Sequence, residues 1–287
     1  MTRRVLLRTG AASIVVLGAG AWWASRQTAT SAREPWRAAA AGFGDARLDA
    51  LAYAILAPNP HNMQPWQVGL DGEDALTLYA DPSRLLPETD PPARQITIGF
   101  GCFLELLRQA AAESGYALEV DPFPEGEPWP TLDGRPVARA RFVRDAGVSA
   151  DPLFAAVLDR HTQRQPFNTD KTVDEALLQD LVAAGTAGVA VAGSADPERR
   201  DALRALTRAA WITEWENAAT REESVHVTRI GRSEVEARPW GLSLDGAFLG
   251  TLGAVGLLTR DSMRTPGEAG YEQGLAGYAA ACDTAMA

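Results

Sequence analysis

Thiols and imidazoles are scarce in this chain. Only two cysteines, Cys102 and Cys282, and three histidines, His61, His161 and His226, occur in its 287 residues. There is no Cys–X–X–Cys, and the histidines show no metal-ligand spacing, so no metal site is expected. Cys102 stands in a nearly all-apolar run, Ile98 to Leu107, and reads as a buried free thiol rather than a disulfide partner. Positive charge is also short. The net charge of −10 argues against nucleic acid as the main partner, because phosphate backbones select basic faces. A Gly-rich phosphate loop is missing too. Gly18-Ala19-Gly20 follows no strand and has no third glycine in place, so it is no dinucleotide fingerprint. Ser243 lacks the Gly–X–Ser–X–Gly setting, which leaves a hydrolase remote. What is present is ordinary globular material, 46% apolar and 22% charged, long enough for one large domain or two small ones.

The chain opens with Arg3-Arg4 and Arg8, followed by an uncharged run from Thr9 to Ala24. A basic start before an apolar run is an export-signal layout, and the paired arginines resemble a twin-arginine signal. That resemblance implies export as a folded protein to the periplasm. The run is marginal for a spanning helix, which takes about 17–25 residues. No clean cleavage site follows Trp22-Trp23, so an uncleaved membrane anchor is the alternative, and a buried N-terminal helix the plainer one. Ser25 to Arg37 reads as a polar linker. The leader and linker are taken together as residues 1–37.

Helical spacing of Leu48, Leu51, Ala52 and Ile55 predicts a helix over Asp45 to Leu56. Gln67 to Leu70 and Ala75 to Ala80 flank Asp71-Gly72, a hairpin signal. Ile98 to Ala112 is apolar on nearly every face and predicts a central buried helix. Short strands are expected around Ala117 to Val120 and Val137 to Val143. The pattern then restarts. Asp151-Pro152 is an N-cap with proline in the first turn, predicting a helix with the stripe Leu153, Phe154, Val157 and Leu158. Thr172 and Glu175 form a capping box for the next helix. Gly188 to Gly193 reads as a strand and Asp196 to Asn217 as a helix. Thr220 to Gly246 has no strong period, and the chain ends in a small-residue stretch. The restart divides the body into residues 38–150 and 151–287.

Two clusters carry chemistry. Ala57-Pro58-Asn59-Pro60-His61-Asn62-Met63-Gln64-Pro65-Trp66 packs an imidazole, amides and an indole between three prolines. Proline fixes φ and removes donors; amides pair donors with acceptors, and the indole adds a flat face. Such a loop suits a planar heteroaromatic ligand. The plainer reading is an Asn-capped turn with Trp66 as a core anchor. Arg160, Thr162 and Arg164 lie beyond the restart helix. Two guanidiniums and a hydroxyl at this spacing can converge on a phosphate, or form a solvated basic loop. His161 alternates with them as a neighbour, and Phe167 reads as a core anchor. Together the clusters describe a flavin mononucleotide better than a dinucleotide.

The loop Ala57 to Trp66 is similar to the flavin loop of the nitroreductase superfamily, with Asn59 in place of the usual Ser. Leu153 to Ala184 is similar to that family's opening. The order of these motifs is reversed here, and with the leader it resembles the Acg-type branch. Asp90, Pro91, Arg94 and Gln95 resemble a branch motif before the central helix; otherwise they are an ordinary loop ion pair. The resemblance implies an α+β fold with an antiparallel or mixed sheet flanked by helices. It also implies two tandem halves forming a pseudo-dimer, monomeric or further paired as a homodimer. On the family pattern a last strand and helix would follow Ala287, and a chain lacking them is expected to have an open sheet edge and weakened flavin affinity.

By the same resemblance the cofactor is FMN, faced by His61, Asn62, Gln64 and Trp66 and held at its phosphate by Arg160, Thr162 and Arg164. The implied activity passes a hydride from a reduced donor such as NAD(P)H to a nitroaromatic, quinone or similar small acceptor. No general acid or base is assigned. The rival readings are a protein that sequesters FMN without turnover and a remnant with impaired flavin binding.

Overall fold

A computed structural model describes Trp23, Arg26 and residues 28–163, 166–171, 173–185 and 189–284. The run expected to be an export leader lies, as far as Trp22, outside the described residues. In chain order the elements are α1 (Glu34–Ala38), α2 (Ala46–Ala54), β1 (Trp66–Asp71), β2 (Ala75–Ala80), α3 (Arg94–Glu113), β3 (Tyr116–Pro122) and β4 (Pro136–Arg144). There follow α4 (Glu175–Ala183), α5 (Pro197–Glu216), α6 (Ala218–His226), β5 (Thr228–Ile230), α7 (Gly231–Ala237), β6 (Leu242–Leu244), α8 (Leu249–Ala254), α9 (Arg260–Arg264) and α10 (Ala269–Thr284). The fold is α+β. Its packing falls into two compact units, one of residues 1–161 with 226–259 and one of residues 162–225 with 260–287.

The first unit is built on an antiparallel sheet of four strands in the order β1-β2-β4-β3. Asp45 caps α2 by accepting from the Arg47 N–H, which explains where that helix starts. Arg47 then reaches back to the carbonyls of Gly72 and Ala75, tying α2 to the hairpin turn. Alternation along the strands decides which face is buried. Leu76 pairs with Ala140 and Leu78 with Ala138, and all four are buried with Phe142. On the opposite face Arg139 and Arg141 are ion-paired to Glu125 and Glu119. Asp90 is buried and its carboxylate accepts from the Ile96 N–H, so this residue satisfies the open first turn of α3.

Helix α3 is not buried all round, as its composition suggested. Ile96, Phe100, Phe103 and Leu107 enter the core, while Ile98 is 56% exposed. The helix packs on α2 and β3, and these cover only part of its circumference. Cys102 is a free thiol, half-buried rather than buried, because it stands at the margin of the covered side. The predicted helix after Asp151 is only a 3₁₀ turn over Pro152–Ala156. It keeps the predicted cap, with Asp151 accepting from Leu153, and stops once Phe154 reaches Tyr53 at a ring distance of 4.7 Å.

The aperiodic stretch after Thr220 holds the rest of this unit. β5 and β6 pair in parallel, Thr228 with Leu242 through Ile230 with Leu244. Strands of three residues are too short to show a period. The described part of the expected linker is docked on them. The Ala29 N–H donates to Asp245 Oδ2 at 2.8 Å, Arg33 adds an ion pair at 3.3 Å, and the Thr30 N–H donates to Glu236. Ala29 is buried, which a free linker would not allow.

In the second unit α5 lies along α10. Trp211 stacks on Tyr278 with centroids 4.4 Å apart, and both Trp211 and Trp215 donate their indole N–H to carbonyls of α10. Gly274 makes the approach feasible, since a Cβ there would lie 2.4 Å from the Trp215 ring. The terminal small-residue stretch is therefore a helix whose small residues admit tryptophans. Asp174 caps α4; Thr172 of the expected capping box lies outside the described residues. Residues Val189 to Gly193 form no strand, and Gly188 lies outside the description. Phe167 is 53% exposed and is no core anchor.

Candidate functional site

The loop Ala57 to Trp66 leaves α2 and enters β1. Asn59 ties it into a ring: its Oδ1 accepts from the Gln64 N–H at 2.7 Å, and its Nδ2 donates to the Ala57 carbonyl at 3.1 Å. The loop backbone presses on α3 at Gly99, where a Cβ would come within 3.1 Å of Asn59 Cβ. Inside the ring the backbone turns left-handed at three non-glycine residues, His61 (φ 48), Asn62 (φ 51) and Gln64 (φ 48). Left-handed φ is uncommon outside glycine and costs about 1–2 kcal/mol per residue, less for Asn. Such a cluster persists only when its surroundings fix it.

The surroundings are residues 239–241. The Gly241 N–H donates to the Asn62 carbonyl at 2.9 Å. The Asn62 amide returns a bond to the Gly241 carbonyl at 3.3 Å. Gln64 Nε2 donates to the Pro239 carbonyl at 2.9 Å and to Asn62 Oδ1 at 3.2 Å. Gly241 has φ 99, and a Cβ there would meet the Val227 carbonyl at 2.2 Å, so only glycine fits.

From the opposite side Arg84 donates to the Gln64 carbonyl at 2.8 Å. Arg84 is held by Asp81 at 3.5 Å. Burial works against the Asp81 charge, but hydrogen bonds from Ser83 and the Arg84 charge outweigh it and keep this carboxyl below its ordinary value.

The expected site residues are placed as follows. Asn62 and Gln64 lie together at the loop crest, with His61 beside them. Trp66 packs its indole on Phe103 at 5.2 Å and Phe100 at 6.4 Å, at the inner end of the loop. Arg160 does reach this loop: its Nη2 donates to the Leu56 carbonyl at 2.6 Å, from 104 residues away. Arg160 Nε is buried with no hydrogen-bond partner among the described residues. His161 Nδ1 lies 2.9 Å from the Asp159 carbonyl. Thr162 falls in the second unit, and Arg164 lies outside the described residues. Among the described residues no group of His, Cys, Asp and Glu could hold a metal, and no helix is long and apolar enough to cross a membrane.

A protein of Mycobacterium tuberculosis named "Putative NAD(P)H nitroreductase acg" is 32% identical over 145 residues, 50% of this chain and 42% of that protein, in two strains. The chain resembles the nitroreductases. An uncharacterized protein of the same species is 31% identical over 126 residues, 42% of this chain and 35% of its own length. The matched stretch spans less than half the length of each of these relatives. No family model matches the chain.

Beside the nitroreductase-like loop stand three residues that sequence reasoning passed over: Arg84, Arg229 and Trp240. Arg84 sits in a proline-rich charged loop and the other two in the aperiodic stretch. Trp240 followed by a glycine, in a region without strand or helix periodicity, was the one available signal.

Proposed function

We propose that this chain is an FMN-dependent oxidoreductase of nitroreductase type. The observation that carries the reading is the docking of one residue of the second cluster, Arg160, at the loop of the first. Arg160, 104 residues away, docks at the root of the nitroreductase-like loop. The residues fit a flavin mononucleotide. The buried, unpartnered Arg160 Nε is a charged donor in need of an acceptor, which a phosphate oxygen supplies. The Asn62 amide makes a long bond of 3.3 Å to Gly241 and is cheaply redirected to a ring edge. When bound, FMN supplies a hydride acceptor at N5 and returns electrons to a second substrate. Arg160, with Thr162 and Arg164 beyond it, neutralises the phosphate. Asn62, Gln64 and His61 orient the ring, and Trp66 anchors the loop that presents them.

The reduced donor in this reading is NAD(P)H and the acceptor a nitroaromatic or quinone. The finer architecture belongs to the same proposal: halves at 38–150 and 151–287 forming a pseudo-dimer, monomeric or paired. So do the twin-arginine-like leader and linker of residues 1–37, the leader directing the protein to the periplasm or anchoring it in the membrane. That leader favours one second reading, an FMN-holding protein without turnover, because NAD(P)H is not expected outside the cytoplasm.

The test is direct. The purified chain is titrated with FMN, its absorption spectrum recorded, and NADPH added without oxygen. Bound flavin that bleaches and reoxidises with a quinone or nitroaromatic is expected. Bound flavin that NADPH leaves oxidised selects the holding protein, and no binding at micromolar FMN overturns both readings.

A further inference from the structure

We propose that Arg84, Trp240 and Arg229 form a clamp that sets the left-handed conformation of the loop at 61–64, and that Trp240 is a positioning residue for the flavin site. The second clause rests on the function proposed above; the first stands on geometry alone.

Three consecutive residues opposite the loop are each gripped. Pro239 is held at its carbonyl by Gln64, and Gly241 at both backbone groups by Asn62. Between them the Trp240 ring carries two guanidiniums, Arg84 Cζ at 5.0 Å and Arg229 Cζ at 4.4 Å from its centroid. Arg84 touches both sides of the arrangement, because its Nη1 also donates to the Gln64 carbonyl at 2.8 Å. Arg229 is buried and donates to the carbonyls of His226 and Thr228 at the root of β5. The indole is thus the joint through which β5 and β6 bear on the loop.

Guanidinium planes suit this task better than ammonium groups. They stack on an aromatic face while their edge donors stay free for carbonyls. Arg84 uses both capacities at once. Without the ring, its fork loses the surface that aims it at Gln64. The loop then keeps its own ring of Asn59 bonds but lacks the restraint that holds His61, Asn62 and Gln64 at positive φ.

The test uses the full chain with three variants, Trp240→Ala, Trp240→Phe and Arg84→Lys, and two readouts. The first is hydrogen exchange of peptides covering residues 60–66 without flavin. The second is FMN affinity by flavin fluorescence, with the midpoint potential of the bound flavin recorded alongside. Trp240→Ala is expected to speed loop exchange and weaken FMN binding by about tenfold each, the equivalent of losing two cation–π contacts, and to shift the potential. Trp240→Phe keeps a ring face and is expected to rescue most of each effect. Arg84→Lys keeps charge but loses the fork, and is expected to behave like Trp240→Ala.

Unchanged loop exchange in Trp240→Ala or in Arg84→Lys overturns the clamp, as does Trp240→Phe behaving no better than Trp240→Ala. If Trp240→Ala does not fold, the other two variants decide. Loop exchange that rises while FMN affinity and potential hold overturns the positioning role alone. A wild-type chain that binds no FMN overturns the flavin reading, and the exchange arm still decides the clamp.

Discussion

Replacing Asn62 by alanine and, separately, by glycine divides the energy of the loop into side-chain and backbone parts. Both substitutions remove the amide bonds to the Gly241 carbonyl at 3.3 Å and from Gln64 at 3.2 Å. Both keep the 2.9 Å bond from the Gly241 N–H to the residue 62 carbonyl. Long, partly exposed bonds of this kind contribute about 0.5 kcal/mol each, so the shared loss is about 1 kcal/mol. They differ in what φ 51 demands. Alanine at positive φ costs about 1 kcal/mol more than asparagine, whereas glycine costs nothing there. Asn62→Ala should therefore lose about 2 kcal/mol and Asn62→Gly about 1 kcal/mol or less.

Urea unfolding followed by far-UV circular dichroism reads the difference, and hydrogen exchange at residues 60–66 shows whether it is local. Equal losses in the two variants would falsify the backbone part of this reasoning. No loss in either would remove the contacts themselves. FMN affinity adds an independent arm. If Asn62 faces the ring, Asn62→Gly recovers the backbone part of the stability lost in Asn62→Ala but none of the affinity.

Further outcomes are expected elsewhere. Gly241→Ala drives a Cβ to 2.2 Å from the Val227 carbonyl, so β6 must part from β5; a loss of about 2–4 kcal/mol and fast exchange at residues 239–244 are expected, and a wild-type midpoint would refute the close approach. The Asp45 carboxyl is held down to about 2, from 3.8, chiefly by its hydrogen bond from the Arg47 side chain. Its folded value lies below its unfolded one, so its contribution is present at neutral pH and disappears as pH falls from about 4 to about 2. Asn still caps at that position, so the gap in thermal midpoint between wild type and Asp45→Asn should close over that range, and a constant gap refutes the linkage. Burial, aided by the nearby Glu223 charge, pushes the Glu214 carboxyl up. The folded form then binds its proton more tightly, and stability drops as pH rises above 4.5, the ordinary value. Glu214→Gln should raise the midpoint at pH 7 and lose that advantage in acid; an equal gain at both pH values counts against it.

Where the chain carries strong punctuation, its structure was readable. Asp45 before a helical stripe, Asp71-Gly72 between alternating runs, and Asp196-Pro197 each mark an end that no tertiary contact has to supply. α3 was located correctly but its exposure was misjudged, since apolar composition does not say how much of a helix its neighbours cover. The turn after Asp151 had a valid cap and stripe, yet Phe154 docks on Tyr53 and Arg160 on Leu56, which halts the helix. β5 and β6 were illegible because strands of three residues draw their order from Gly241, Asp245 and docked chain rather than from local preference. The same division holds at the site. The loop announces itself by proline and amide chemistry, whereas Arg84, Trp240 and Arg229 acquire meaning only once folding brings them against it.

The docking of Ala29 on Asp245 has a consequence for the order in which the protein is made. The two residues are 216 positions apart. Ala29 leaves the ribosome before the carboxylate that fixes it, which follows 216 residues later. At typical synthesis rates that is a wait of about 10–40 s. During this interval all of the second unit's first stretch is also made, because it interrupts the first unit between His161 and His226. The first unit therefore closes late, by a long-range contact at Ala29. Until then Ala29 and Arg33 lack the contacts that Asp245 supplies, so the docking of this segment is among the last events in closing the first unit.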